Sequence, residues 1–171
     1  LMVPVQYAYD VVVGVSCGGI NAGLLATYDR GYEKLAIDFL WDAWTNLPVT
    51  EMWSMWTLGP LEGIWRSSFL NSENLLLALK QLLGGRDLRR SIALQSVDLN
   101  TGQTVIYDES MPREFLPQAI AASAAVPAFF SPEYIESKTM VDGLVLSNLD
   151  LSEAITKCQD KGYRDEDIIV D

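Results

Sequence analysis

The sequence predicts an α/β fold with a mainly parallel central sheet, and two features lead to this prediction. Short apolar segments typical of strands alternate along the chain with segments of helical periodicity. Residues 9–15 show no polar alternation after Asp10, which is the pattern of a strand buried on both faces of a parallel sheet. The chain has 171 residues, 49% of them hydrophobic, which suffices for one domain with its own core. We therefore expect residues 1–171 to form a single three-layer α/β/α sandwich.

The first half of the chain predicts one strand and three helices. The strand over 9–15 leads through small residues into a helix over 20–28, and a second helix is expected over 32–45. Residues 46–70 are predicted to be irregular, because prolines and glycines interrupt them. The third helix is expected to begin at Asn71 or Ser72, either of which would cap it, and to end at the glycines 84 and 85.

The second half predicts mainly strands, with an Ala-rich helix between them. Residues 100–102 form an Asn-Thr-Gly turn between two strands. Pro112 and Pro117 flank the start of the Ala-rich helix, which runs through Ala125 and is stopped by Pro127. The expected strands are 91–98, 103–107, 139–142 and 167–170, and a further helix is expected over 152–161. The chain does not begin with Met and its last strand stops abruptly, so we expect elements to be missing at both ends.

Composition excludes several classes of function. The 12 basic and 23 acidic residues give a net charge of −11, which would repel the phosphates of nucleic acid. The chain has no histidine, and this excludes Ser-His-Asp triads and His-ligated zinc. Cys17 and Cys158 are too few for a disulfide framework and lack the spacing of metal ligands. No signal peptide or membrane-spanning run is seen, so a cytoplasmic location is expected, with any membrane contact peripheral.

The strand, turn and helix that begin the chain contain a G-x-S-x-G motif. It consists of Gly14, Val15, Ser16, Cys17 and Gly18, with Gly19 following. In this context the serine would stand on a sharp turn as a nucleophile, at a helix N-terminus that stabilises negative charge. The amide of Cys17 is then the natural oxyanion donor, while its thiol is expected to be a small buried filler. The alternative is an ordinary glycine-rich packing turn.

Asp142 is the second candidate for a chemical role. Without histidine, Ser16 needs a carboxylate or a lysine as its base, and Asp142 closes a short strand just before Gly143. Ligands gather at such strand ends in open α/β sheets. The alternative is a turn aspartate that accepts hydrogen bonds from local backbone amides.

Taken together, these motifs resemble the patatin-like phospholipase family, whose serine-aspartate dyad works without histidine. The Gly14–Gly18 motif pairs with the Asp-Gly turn at 142–143, and residues 121–130 look like the family's A-S-x-A-x-P-x-x-F segment. Residues 98–102 are similar to its D-x-x-x-G hairpin, and Asn148 matches the asparagine after the Asp-Gly turn. These four blocks stand in the family's order and cover about residues 9–150.

The resemblance implies a patatin-like serine lipid acyl hydrolase that forms an acyl-enzyme and needs neither metal nor organic cofactor. Ser16 would be the nucleophile and Asp142 the proton acceptor, with Gly14, Cys17, Gly18 and Gly19 forming the elbow and oxyanion site. The family's glycine-rich oxyanion loop is not found in residues 1–8, and Leu144 replaces a small residue that could otherwise leave more room at the dyad. The alternative is therefore a weak or inactive module that binds lipid or a protein partner.

Two further clusters have open interpretations. All five tryptophans, at 41, 44, 53, 56 and 65, lie in one short stretch that predicts either an acyl-chain pocket or interfacial lid, or a flap packed on the sheet. Arg86, Arg89 and Arg90 would bind a lipid phosphate, or else cap a helix end or stay solvated. The expected ligand in either case is a lipid ester at a membrane surface.

Overall fold

A computed structural model describes residues 8–46, 54–55, 68–148 and 151–171. The strands are β1 (Val11–Val15), β2 (Ser54–Met55), β3 (Ser68–Asn71), β4 (Ser91–Asp98), β5 (Gln103–Asp108), β6 (Ala128–Phe130), β7 (Glu133–Ile135) and β8 (Lys138–Asp142). The α-helices are α1 (Cys17–Leu25), α2 (Glu33–Asn46), α3 (Glu73–Leu83), α4 (Leu116–Ser123) and α5 (Leu151–Asp160). Short 3₁₀ turns lie at Arg113–Phe115, Gly143–Val145 and Asp165–Asp167.

The larger sheet contains β1, β4, β5, β7 and β8. It is a mixed sheet, whereas the sequence analysis predicts a mainly parallel one. Among the described strands of this sheet, β1 and β4 pair in parallel, while β4 is antiparallel to both β5 and β8, and β7 to β8. For two of these pairs the physical reason is local, because β4–β5 and β7–β8 are hairpins and a short turn can join only antiparallel strands. The β4–β8 pairing instead joins segments that are distant in the sequence. A smaller sheet has the order β2, β3, β6. The three-layer arrangement stays a prediction.

The ends of β1 and β8 meet along one edge of β4. Residues 91–95 of β4 pair with β1, and residues 96–98 pair with β8. β5 pairs with residues 93–98 and so occupies the opposite edge. Because β8 runs against β4, its last residue and the last residue of β1 approach the same point of the sheet, beside Gln95 and Ser96.

The core lies between this sheet and the helices α1, α3 and α4. Its fully or nearly fully buried members include Ile20, Leu24, Leu75, Leu79, Ile92, Leu94, Ile120 and Met140. All eight residues of β4 are buried, because β4 lies inside the sheet, between β5 on one edge and β1 and β8 on the other. The helices that carry the core therefore also fix the strand ends where β1 and β8 meet.

Most predicted elements are confirmed to within a few residues, with three corrections. Helix α1 begins at Cys17, earlier than predicted, because the small residues after Ser16 already form its first turn. Residues 46–70 are not wholly irregular, since β2 and the start of β3 fall within them. The predicted strand at 167–170 is wrong, because this segment holds the end of a 3₁₀ turn and then no regular structure.

The turns that bound α3 and join β4 to β5 follow their sequence signals. Ser72 is the N-cap residue of α3, although its side chain makes no capping hydrogen bond, and Gly84 ends the helix with φ of 39°. Between β4 and β5, the Asp98 carboxylate accepts from the amide of Asn100 at 3.0 Å and from the hydroxyl of Thr101 at 3.1 Å. The predicted turn at 100–102 is therefore confirmed, and Asp98 is the residue that holds it closed.

Candidate active site

Ser16 stands on a strained turn between β1 and α1. Its backbone has φ of 57° and ψ of −133°, a conformation that non-glycine residues rarely adopt. Its amide donates both to the carbonyl of Ser123 at 3.0 Å and to the Ser123 hydroxyl at 3.1 Å. The side chain is half-buried. The turn therefore has the geometry of a nucleophile elbow, and hydrogen bonds to Ser123 at the end of α4 hold its strained conformation.

Two glycines allow the elbow to form. A Cβ on Gly14 would lie 2.3 Å from the carbonyl oxygen of Gly18, so β1 and α1 approach too closely for a side chain. A Cβ on Gly19 would lie 2.6 Å from the Ser123 hydroxyl. The predicted roles of Gly14 and Gly19 in shaping the turn thus have a steric basis.

Cys17 and Gly18 form the first turn of α1, directly after Ser16. Amides in the first turn of a helix have no carbonyl partner within that helix, so those of Cys17 and Gly18 are available to a developing oxyanion. The expectation of a buried thiol is wrong, because Cys17 is exposed.

Asp142 ends β8 and is only 1% exposed. Its amide donates to the carbonyl of Ala125 at 2.9 Å, and its Oδ1 accepts from the amide of Leu144 at 2.9 Å. Among the described residues, Oδ2 has no hydrogen-bond partner. The carboxylate is thus fixed through one oxygen, and the other is free to accept a proton.

The turn after Asp142 packs directly against the strand that leads to Ser16. A Cβ on Gly143 would lie 2.7 Å from the carbonyl oxygen of Gln95 and 2.8 Å from Cγ2 of Val15. Gly143 and Val15 are the chain neighbours of Asp142 and Ser16, so the structure brings the two predicted dyad residues to one place. Gly143 is required here because of this close approach.

Ser123 is a site residue that the sequence reasoning missed as an individual, although its segment carries part of the resemblance. It is fully buried at the end of α4. Its hydroxyl donates to the carbonyl of Gln95 at 2.8 Å while accepting from the Ser16 amide. A serine within an otherwise Ala-rich helix was the signal that could have revealed it.

Gln95 is a second missed residue, and it supports the Asp142 turn. It is 3% exposed, and its side-chain amide donates to the Ser147 hydroxyl at 2.9 Å. The same amide reaches the carbonyls of Gly143 and Ser147 at 3.5 and 3.4 Å. A buried glutamine in an apolar strand is costly unless it is hydrogen-bonded, and this cost could have pointed to a role.

Leu144 and two of the three clustered arginines have different surroundings in the structure. Leu144 is 48% exposed, so much of its side chain faces away from the protein interior. Arg90 is buried in an ion pair with Glu33 at 2.8 Å, and the Arg86 guanidinium lies over the Phe39 ring at 4.7 Å. Arg90 therefore stabilises the fold, and Arg86 packs on an aromatic ring instead of being free to bind a lipid phosphate.

Only part of the tryptophan cluster belongs to the described residues. Trp41 is 72% exposed, and Trp44 donates to the Asn21 side chain at 2.8 Å. Trp53, Trp56 and Trp65 lie outside the described residues, as do residues 1–7 of the 1–8 segment in which the sequence shows no glycine-rich oxyanion loop. Within the described ranges, no group of three or more acidic or cysteine side chains is arranged to hold a metal ion.

An α/β fold whose mixed sheet leads into a strained strand-to-helix elbow with a serine is typical of the nucleophile-elbow class of proteins. A comparison with family models agrees with this assignment and makes it specific. The model described as Patatin-like phospholipase matches residues 3–155, most of the chain. The protein therefore belongs to the patatin-like phospholipase family, as the sequence motifs predict. A search of curated proteins found no match.

Proposed function

We propose that this protein is a carboxylic ester hydrolase that acts on lipids through a Ser16–Asp142 dyad, with phospholipase A, lysophospholipase or lipase activity in lipid degradation. Family membership supports a lipid acyl hydrolase at the family level. The observation that supports the dyad is the meeting of the strained Ser16 elbow with a buried aspartate whose Oδ2 is unengaged among the described side chains.

In the first half-reaction, Ser16 Oγ attacks the ester carbonyl while Asp142 Oδ2 takes its proton. The amides of Cys17 and Gly18 stabilise the oxyanion, and the positive end of the α1 dipole adds to this effect. The intermediate collapses to an acyl-enzyme when Asp142 returns the proton to the leaving alcohol. This step uses groups of the chain itself, with no metal or organic cofactor.

In the second half-reaction, water replaces the alcohol. Asp142 takes a proton from the water as its oxygen attacks the acyl-enzyme carbonyl, and the same two amides stabilise the second oxyanion. Collapse of this intermediate releases the fatty acid and returns the proton to Ser16 Oγ. Asp142 therefore serves as base and acid in both halves.

The substrate class follows from the surface beside Asp142. Leu144, Val145 and Leu146 come directly after the Asp-Gly turn and are 48%, 49% and 52% exposed. Three consecutive exposed aliphatic side chains next to the base suit contact with an acyl chain better than with a polar ester. No described helix is long and apolar enough to cross a membrane, and we propose peripheral contact with lipid on the cytoplasmic side.

The test is hydrolysis of short- and long-chain p-nitrophenyl esters by the chain and by two near-isosteric variants. Ser16→Ala removes the nucleophile and Asp142→Asn removes the base, so each is expected to lower kcat by about 1000-fold or more. Ser137→Ala, at an exposed turn, is the control and should retain the parent kcat. Circular dichroism should show that all four proteins are folded.

Loss of turnover in both site variants supports the dyad. If Asp142→Asn keeps parental kcat, another group is the base and the dyad is wrong. If the folded parent shows no turnover on any ester, the better interpretation is an inactive module that binds lipid or a protein partner.

A further inference from the structure

Two residues that face each other in the paired strands β4 and β8 each carry a buried side-chain oxygen without a hydrogen-bond partner in the part of the chain that the structure describes. Ser96 is fully buried and Asp142 is 1% exposed. Among the residues that the structure describes, neither Ser96 Oγ nor Asp142 Oδ2 makes a hydrogen bond. Leaving a buried polar group unpaired costs about 1–3 kcal/mol, so two such atoms in neighbouring residues call for an explanation.

The strand register places their side chains together. Ser96 and Asp142 are directly paired in the antiparallel β4–β8 ladder, so their side chains point to the same face of the sheet. The Asp142 amide donates away from β4, to Ala125, whereas the Leu99 amide donates to Thr139 at 2.8 Å across the ladder. Ladder pairs alternate, so Ser96–Asp142 is a non-hydrogen-bonded pair, the type with Cα atoms about 4.5 Å apart.

At this separation a serine hydroxyl can reach an opposing carboxylate by rotation of its side chain. A carboxylate accepts hydrogen bonds and a hydroxyl can donate one, so the two unpaired atoms are chemically complementary. A hydrogen bond between them would satisfy both atoms. A hydroxyl donor to a carboxylate also forms one of the stronger kinds of protein hydrogen bond.

We propose that Ser96 is a positioning residue that donates a hydrogen bond to Asp142 Oδ2. The Leu144 amide holds Oδ1 and Ser96 holds one lone pair of Oδ2, which fixes the carboxylate plane and leaves the second lone pair of Oδ2 for the Ser16 proton. The contribution of Ser96 to turnover rests on the proposed function. The hydrogen bond itself does not.

The first test is kinetic. Ser96→Ala should lower kcat on a long-chain p-nitrophenyl ester by about 10-fold to 100-fold, the loss expected for a hydrogen bond to a charged group, with KM unchanged. The rate at which a fluorophosphonate labels Ser16 should fall equally, because this reaction also needs the base. Ser96→Thr keeps the hydroxyl and should restore most of both rates.

The control is Ser91→Ala on the same strand. Ser91 is also buried, but its hydroxyl accepts from Lys161 at 3.2 Å, at the end of β4 remote from Asp142. This variant should keep kcat and the labelling rate of the parent. If Ser96→Ala keeps them as well, within about twofold, the positioning role is wrong.

The second test needs no activity. The free energy of unfolding is measured for the parent, Ser96→Ala, Asp142→Ala and the double variant, and the cycle gives the coupling between the two side chains, because each change removes one partner of the hydrogen bond. A hydrogen bond predicts non-additive losses, and additive losses would contradict it. If the parent lacks turnover, the proposed function fails, but this cycle still decides whether the two side chains interact.

Discussion

At the scale of single residues, Ser123 connects three parts of the site through one hydroxyl group. It accepts from the Ser16 amide and donates to the Gln95 carbonyl, and both contacts lie in the buried region between β1, β4 and α4. The strained φ of Ser16 persists only if its surroundings hold it. Ser123 supplies that constraint with two atoms, since its own carbonyl also accepts from the Ser16 amide.

Replacement of Ser123 by Ala should therefore weaken both the fold and the elbow. The change leaves the buried Gln95 carbonyl without this donor, and we expect the free energy of unfolding to fall by about 1–3 kcal/mol. A looser Ser16 should also lower kcat by about 10-fold with little change in KM. Urea unfolding and ester hydrolysis, with Ser137→Ala as control, measure both. An unchanged kcat in a destabilised variant would show that Ser123 stabilises the fold without positioning Ser16.

At the scale of elements, the packing of β1 against α1 depends on the absence of a side chain at Gly14. Gly14→Ala would place a methyl group 2.3 Å from the Gly18 carbonyl oxygen, so strand and helix must separate. We expect a loss of about 1–3 kcal/mol in the free energy of unfolding, as for other overpacked interiors, together with loss of ester hydrolysis.

The matched control for this prediction is Gly18→Ala in the same unit. Apart from the chain neighbours and backbone of α1 itself, no atom of the described residues lies within 4 Å of a Cβ at Gly18, and Ala is the better helix former. Thermal unfolding should therefore show Gly18→Ala to be at least as stable as the parent. Equal destabilisation by both changes would contradict the steric explanation.

The same elements show what could be predicted from the sequence. β4 is predicted with its observed bounds because the Asn-Thr-Gly turn at 100–102 separates it from β5, and the elbow is predicted because glycines and a serine follow an apolar strand. The antiparallel pairing of β8 with β4 was not predicted, since it depends on contacts between distant segments that no local pattern encodes. For the same reason the sequence does not predict a role for Ser96, because that role depends on the pairing of Ser96 with Asp142.

At the scale of the whole molecule, one buried ion pair connects the segments at the end of the sheet remote from Ser16. Arg90 donates to Glu33 at 2.8 Å and to the backbone carbonyls of Tyr9, Tyr28 and Asp29 at 3.0, 2.9 and 2.9 Å. The Glu33 carboxylate also accepts from the Tyr9 amide at 3.0 Å. The pair thus holds together the chain before β1, the loop between α1 and α2, and the start of β4.

This ion pair should make the stability of the protein depend on pH in the acid range. Burial alone would raise the pKa of Glu33, but hydrogen bonds from Arg90 and from backbone amides outweigh it and lower that pKa below its ordinary value of 4.5. A carboxyl whose pKa is lowered on folding contributes stability at pH values above its pKa in the unfolded chain. This contribution is lost as the pH falls through its pKa in the folded protein.

Near pH 7, Glu33→Gln should lower the free energy of unfolding by about 3–5 kcal/mol, because Arg90 loses its counter-charge. Urea unfolding from about pH 7 to pH 3 should show this difference narrowing below pH 4.5, whereas exposed Glu114→Gln should follow the parent throughout. A difference of constant size would mean that Glu33 acts through its shape and hydrogen bonds and not through its charge.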